Sequence, residues 1–174
     1  MASTVASATI AELARNTAMS SQTSKPGAAN RAQTGAMNIK DATVEVPAPT
    51  VWPTLQARDA RALIDWLVAL GFEETFVYAD GGAVVHAQLW WPEGGSLMLA
   101  DHSVAGDCSR QTGAFGAYVV TDHVDNVYER AKAAGARIVS ELAEQHHGKR
   151  EFTVADPEGN VWSFGSYRGE PRKS

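Results

Sequence analysis

His86 and Gln88 stand two residues apart in the run HAQLWW, residues 86–91. One is an acid–base group that titrates near neutrality; the other is an amide that both donates and accepts. On an extended strand this spacing puts both on one face, with Trp90 next along the row. Such a row suits the orientation of a small, partly aromatic ligand. An imidazole placed there is a candidate general base, and equally a hydrogen-bonded sheet histidine. The other chemistry-bearing residues are scattered. His123 precedes a helical stretch and reads as turn or cap chemistry. Glu144 and His147 form an ExxH with His146 beside it, but Gly148 follows at once in a polar stretch, which reads as solvated loop. Cys108 is the only cysteine and has no CxxC pattern, so an exposed linker thiol is expected and an internal disulfide is excluded. Arg150 is placed to reach an anionic ligand or to stand on the surface. There is no GxGxxG, Walker loop or GxSxG.

The elements that must position these residues begin near Val51. Residues 1–50 contain no aromatic side chain and are rich in Ala, Ser and Thr. Such a segment cannot bury enough apolar area to offset chain entropy, so a flexible tail is expected, with at most a marginal helix around Ile10 and Leu13. Met19 and Met37 are alternative starts. VEVPAPT, residues 44–50, reads as an extended lead-in. The formal charge of −5 argues against nucleic acid or an anionic membrane surface as a partner. The single cysteine, with no run long enough to span a bilayer and no secretory leader pattern, points to a cytoplasmic protein.

Residues 51–168 alternate in a readable order. VWPTLQA is a strand. RDARALIDWLVALGF is a helix with Asp59 as N-cap, Gly71 at its end, and Leu63, Trp66, Leu67 and Leu70 on one face. ETFVYA, AVVHAQLWW and SLMLA are strands separated by the turn signals DGG and PEGG. The order then repeats: FGAYVVT, a helix over HVDNVYERAKAAGA with Val124, Val127, Tyr128 and Ala131 buried, then RIVSEL, REFTVA and VWSFGS. The two halves lie at an offset that places Gly71 on Gly135. This is a duplicated βαβββ unit, joined by a linker over 101–113; residues 169–174 are a C-terminal tail.

Strand alternation assigns the faces. Leu55 and Ala57 oppose Trp52, Thr54 and Gln56. Val85, Ala87, Leu89 and Trp91 oppose His86, Gln88 and Trp90. Leu97 and Leu99 oppose Ser96, Met98 and Ala100. Ala117 and Val119 oppose Gly116, Tyr118 and Val120. Trp162 and Phe164 oppose Val161, Ser163 and Gly165. One set is apolar enough to carry the helices. The other mixes aromatic and polar groups, which is the make-up of a small-molecule site, or of a face given to water or to dimer packing.

These stretches, with VDNVYERAKAAGA (124–136) and REFTVADPEGNVWSFG (150–165), resemble the vicinal oxygen chelate superfamily of glyoxalase I, bleomycin-resistance proteins and extradiol dioxygenases. The opening VWPTLQARDARALIDWL is similar to its PhnB-like, or glyoxalase-like, subgroup. The resemblance implies an α+β fold of two βαβββ modules forming a curved mixed β-sheet around a cleft, with helices on the outer face, and a homodimer. It also implies a divalent metal held by the first and fourth strands of each module. In this chain those positions map to Trp52, Met98, Gly116 and Ser163, none of which is a metal donor. The expected function is therefore a metal-free, cofactor-free binder of a small molecule, of the glyoxalase/bleomycin-resistance type, acting by sequestration. Its ligand site is expected at Trp52, Gln56, His86, Gln88, Trp90, Met98, Tyr118 and Ser163. The alternatives are a glyoxalase-like lyase or isomerase using His86 or an atypical metal site, and a regulatory or interaction module with a vestigial cleft.

Overall fold

A computed structural model describes residues 49–145, 148–171 and 173. The expectations for the N-terminal tail, and for His146 and His147 of the ExxH, lie outside these residues. Two modules follow one another with the expected order. The first is β1 (Thr54–Ala57), α1 (Ala60–Leu70), β2 (Glu73–Asp80), β3 (Ala83–Trp90) and β4 (Ser96–Asp101). The second is β5 (Gly116–Val120), α2 (Val124–Ala133), β6 (Arg137–Glu144), β7 (Arg150–Ala155) and β8 (Val161–Gly165). Each module forms its own four-stranded mixed sheet, ordered β1-β4-β3-β2 and β5-β8-β7-β6, with the first and fourth strands parallel and the other pairs antiparallel. Among the described residues no helix is long and apolar enough to cross a membrane.

Local chemistry accounts for the element ends. Asp59 caps α1 by accepting from Ala62 N at 2.9 Å, which satisfies one of the donors left over at a helix start. Gly71 ends it at φ 121°, a backbone conformation that favours glycine. The buried Asp101 carboxylate accepts from Ala60 N at 2.9 Å and Val84 N at 2.5 Å, fastening the start of α1 to β3 and β4.

The DPEGN turn is organised by a second buried carboxylate. Asp156 accepts from Glu158 N and Asn160 N, both at 2.9 Å, from Asn160 Nδ2 at 2.8 Å and from Trp162 Nε1 at 3.0 Å. Asn160 Oδ1 in turn accepts from Phe115 N at 3.0 Å. The polar residues of the motif, Asp156, Glu158 and Asn160, thus each have a partner, and a buried carboxylate with this many donors is well compensated.

The duplication is carried into the contact between modules. Glu158, in the second module's β7–β8 turn, accepts with Oε1 from Arg58 N at 3.0 Å and Asp59 N at 3.1 Å, ahead of α1, while Oε2 pairs with Arg58 Nε at 2.9 Å. Glu93, in the equivalent β3–β4 turn of the first module, accepts from the Thr121 hydroxyl and from Asp122 N at 2.8 Å, ahead of α2. Each module's Pro-Glu-Gly turn therefore places a carboxylate at the positive end of the other module's helix.

Between these clasps lies one hydrophobic core. Leu55, Ala57, Leu89, Leu97, Leu99, Phe152, Phe164 and Trp162 are buried on the helix-side faces, with Leu63, Leu67, Leu70, Val127 and Ala131 from the helices. Aromatic rings bridge the modules: Phe72–Trp162 at 5.8 Å and Trp91–Phe164 at 5.9 Å between centroids. The alternation read from sequence holds on β1, β4, β5 and β8. On β3 the buried valine is Val84 rather than Val85, because an irregularity in the β2–β3 register at Tyr78/Ala79 shifts the strand's beginning.

Candidate functional site

The contacts that join the modules run through their helix-side faces, which leaves the other face of each sheet open. Six of the eight candidate residues, Trp52, Gln56, His86, Gln88, Trp90 and Met98, belong to the first module's open face. Tyr118 and Ser163 belong to the second module's. Within one chain these residues are divided between the two four-stranded sheets.

On the first face, Met98 stands in register between Thr54 and Gln88, and Trp90 is paired with Ser96. Trp52 precedes β1 and meets Trp90 edge to face, with centroids 5.8 Å apart and planes at 81°, while its indole N–H donates to Pro49 O at 3.0 Å. Gln88 Nε2 donates to His86 Nε2 at 3.1 Å. With the amide in this orientation that nitrogen accepts, which is the role of a neutral imidazole. Partial burial lowers the His86 pKa from the ordinary 6.5 and favours the same state. Two residues that the sequence reading did not assign join this face. Phe76 pairs with Gln88 and Tyr78 with His86, and the Phe76 ring is 5.9 Å from the imidazole. Period-two alternation along ETFVYA carried the signal for both.

Gln56 does a different job from the one expected. Its Nε2 donates to Cys108 O at 3.0 Å, and its Oε1 accepts from Arg110 N at 2.8 Å and faces His102 Nδ1 at 3.3 Å. The amide fastens the 101–113 linker onto β1. Ser109 Oγ is 3.4 Å from His102 Nδ1 and 3.2 Å from Nε2. An oxygen nearly equidistant from both nitrogens sits toward Cε1, off either lone pair, so the two do not form a nucleophile–base pair. Cys108 is exposed. Arg150 pairs with Asp125 at 2.5 Å on the surface.

On the second face Tyr118 is in register with Ser163, whose hydroxyl is 2.9 Å from that of Thr153. The Tyr118 ring lies across Gly165, where any Cβ would collide with its hydroxyl, and Tyr118 Oη accepts from Tyr167 N at 3.3 Å. Desolvation raises the Tyr118 pKa, which keeps the phenol protonated.

The metal positions implied by the family resemblance were tested against this register. Trp52 lies outside β1, and the first-strand residue opposite Met98 is Thr54. In the second module Val161 stands opposite Gly116, and Ser163 opposite Tyr118. Indole, thioether, hydroxyl, phenol and hydrogen do not make a divalent-metal donor set. Among the described residues no group of three or more His, Cys, Asp or Glu is assembled to hold an ion.

Comparison with known proteins follows the same residues. The family model for the Glyoxalase/Bleomycin resistance protein/Dioxygenase superfamily matches residues 50–164. An uncharacterized protein of Mycobacterium bovis is 35% identical over 126 residues, covering 67% of this chain and 82% of the relative. Among solved structures, TioX from Micromonospora sp. ML1 superposes with a TM-score of 0.56 at 29% identity, covering 66% of this chain and 97% of TioX. A bleomycin-binding protein complexed with bleomycin shares the fold at a TM-score of 0.50 and 19% identity, over 70% of this chain and 100% of that one.

Proposed function

This chain belongs to the Glyoxalase/Bleomycin resistance protein/Dioxygenase superfamily, and from that premise we propose that it is a metal-independent binder of a small, partly aromatic molecule. The observation that carries this reading is the first open face. A half-buried Trp52–Trp90 pair stands on the same face as a neutral His86–Gln88 pair, and no metal-donor set is assembled among the described residues. Aromatic surface supplies affinity, and a neutral imidazole with a side-chain amide supplies orientation. Sequestration needs only binding, without selective stabilisation of a transition state, so it tolerates the lack of metal ligands. A protein of this fold complexed with bleomycin supports a ligand-binding role.

We further propose that a homodimer completes the site. Phe76 (44%), Tyr78 (41%) and Tyr118 (41%) are exposed on the two open faces. Setting the first-module face of one copy against the second-module face of another would cover these rings and bring Tyr118 and Ser163 opposite His86 and Gln88. Sedimentation equilibrium tests this: a monomer at tens of micromolar would refute it.

The binding function is tested by screening aromatic compounds against the full chain by intrinsic fluorescence, then repeating any hit with Trp90→Ala and Trp52→Ala. Loss of about ten-fold in affinity is expected for each. An unchanged affinity in both variants would remove the ligand from this face. One tightly held divalent ion per chain in a calorimetric titration with Ni²⁺, Zn²⁺, Fe²⁺ or Mn²⁺ would favour a lyase or isomerase instead.

A further inference from the structure

We propose a second binding site, between the two modules of a single chain, for a small uncharged aromatic molecule bearing one hydrogen-bonding group. A cavity of about 340 Å³ lies between the modules. That volume falls at the lower end of the roughly 300–1,000 Å³ typical of small-molecule sites. Its walls include the helix-side residues Leu97, Ala117 and Val119 and the aromatic cluster Phe72, Trp91, Phe115 and Trp162. Within that cluster Phe72–Trp91 centroids are 5.0 Å apart and Phe115–Trp162 5.3 Å, so the rings hold one another in place and the cavity is preformed. His86, Gln88 and Trp90 are absent from its lining; Ser96, the cross-strand partner of Trp90, comes from the first open face, and Tyr118 and Val120 come from the second.

The chemistry of the lining selects the ligand. No Asp, Glu, Lys, Arg or His lines the cavity, so a charged molecule would lose hydration without gaining a partner. Trp91 Nε1 is already committed to Val120 O at 2.9 Å. Ser96 is different: it lines the cavity, and its hydroxyl is buried with no hydrogen-bond partner among the described residues. A buried hydroxyl left unpaired is costly, and a ligand group that satisfies it recovers that cost. Aromatic walls with one unsatisfied hydroxyl fit a flat bicyclic molecule carrying one hydroxyl or carbonyl.

The test uses 2-naphthol, with naphthalene as the probe lacking the polar group, titrated calorimetrically into the full chain. Both are expected to bind. Ser96→Ala is expected to weaken 2-naphthol about five-fold, the loss of one neutral hydrogen bond, and to leave naphthalene unchanged. Ala117→Leu, which fills the cavity, is expected to weaken both; Ser96→Ala gives an independent answer if the larger side chain disturbs the fold. Trp90→Ala, which the open-face site depends on, is expected to change neither, so failure of that site and failure of this one are read separately. The indole N–H resonances of Trp91 and Trp162 are expected to move on binding while those of Trp52 and Trp90 stay. The proposal is overturned if neither compound binds, if Ser96→Ala leaves 2-naphthol affinity unchanged, or if Trp90→Ala abolishes binding. It is also overturned if affinity falls as protein concentration rises, which would mean that a second copy occupies the cavity.

Discussion

Glu158→Ala should weaken the whole fold, although Glu158 belongs to a turn at the protein surface. Its side chain is only 7% exposed, and it reaches 100 residues back along the chain to Arg58 and 99 to Asp59. Truncation deletes the acceptor for both backbone N–H groups. A hydrogen bond to a charged group contributes about 1.5–3 kcal/mol. Arg58 and Asp59 are exposed, so water replaces part of each bond, and the pair is worth about 2–3 kcal/mol in total, below the simple sum. The ion pair adds little, because the Arg58 side chain is 66% exposed; exposed pairs contribute about 0–1 kcal/mol. The expected order of destabilisation is therefore Glu158→Ala, then Glu158→Gln, which keeps an uncharged acceptor, then Arg58→Ala. Urea unfolding followed by circular dichroism measures it, with an unchanged slope showing that the same surface is exposed in every variant. A loss in Glu158→Ala within about 0.5 kcal/mol of wild type, the range of ordinary surface substitutions, would refute the clasp. Equal losses in Glu158→Ala and Arg58→Ala would assign the effect to the ion pair instead of the helix start.

Three further outcomes are expected. The folded state holds His86 below its ordinary 6.5, so the unfolded chain binds this proton more readily; stability should be unaffected by His86 above that value and decline as pH falls below it, with a shallower decline in His86→Gln, measured by urea midpoints between pH 8 and pH 5. Gly165→Ala should displace the Tyr118 ring and lower the melting temperature, and a double variant with Tyr118→Ala should recover part of the loss; no shift in the single variant would mean that Tyr118 does not lie across the strand. Prolonged chelation should leave the melting temperature unchanged, since no donor set among the described residues ties folding to an ion; a fall reversed by adding back one metal would contradict the reading of the open faces.

The duplicated βαβββ order, the helix caps and the facing of most strand residues were legible in the sequence because each depends on local periodicity. Leu63, Trp66, Leu67 and Leu70 repeat with the turn of a helix, and Trp162 and Phe164 alternate with the pleat of a strand. The aromatic and polar make-up of the first open face was legible for the same reason. Pairing across strands was not. Trp52 was mapped through the family resemblance to a metal position on the first strand, but it precedes β1 and hydrogen-bond register sets Thr54 opposite Met98; register depends on the partner strand. Gln56 alternated correctly onto the open face, yet its amide is taken by the linker at Cys108 and Arg110, more than fifty residues away.

The DPEGN motif divides in the same way. Its turn was visible as Pro and Gly between two strands, while the use of Asp156 to hold Asn160 and Trp162, and of Glu158 to reach the other module, was not. Sequence alone determined which residues are apolar, which face most of them share and the order of the elements, because these follow from backbone geometry over a few residues. Only the tertiary structure decided that the modules meet through their helix-side faces, that each module closes its own four-stranded sheet, and that a cavity lined by Ser96 lies between the modules. Those outcomes depend on how the helices and the rings of Phe72, Trp91 and Trp162 fill shared space, a balance of packing across the whole chain that no local pattern encodes.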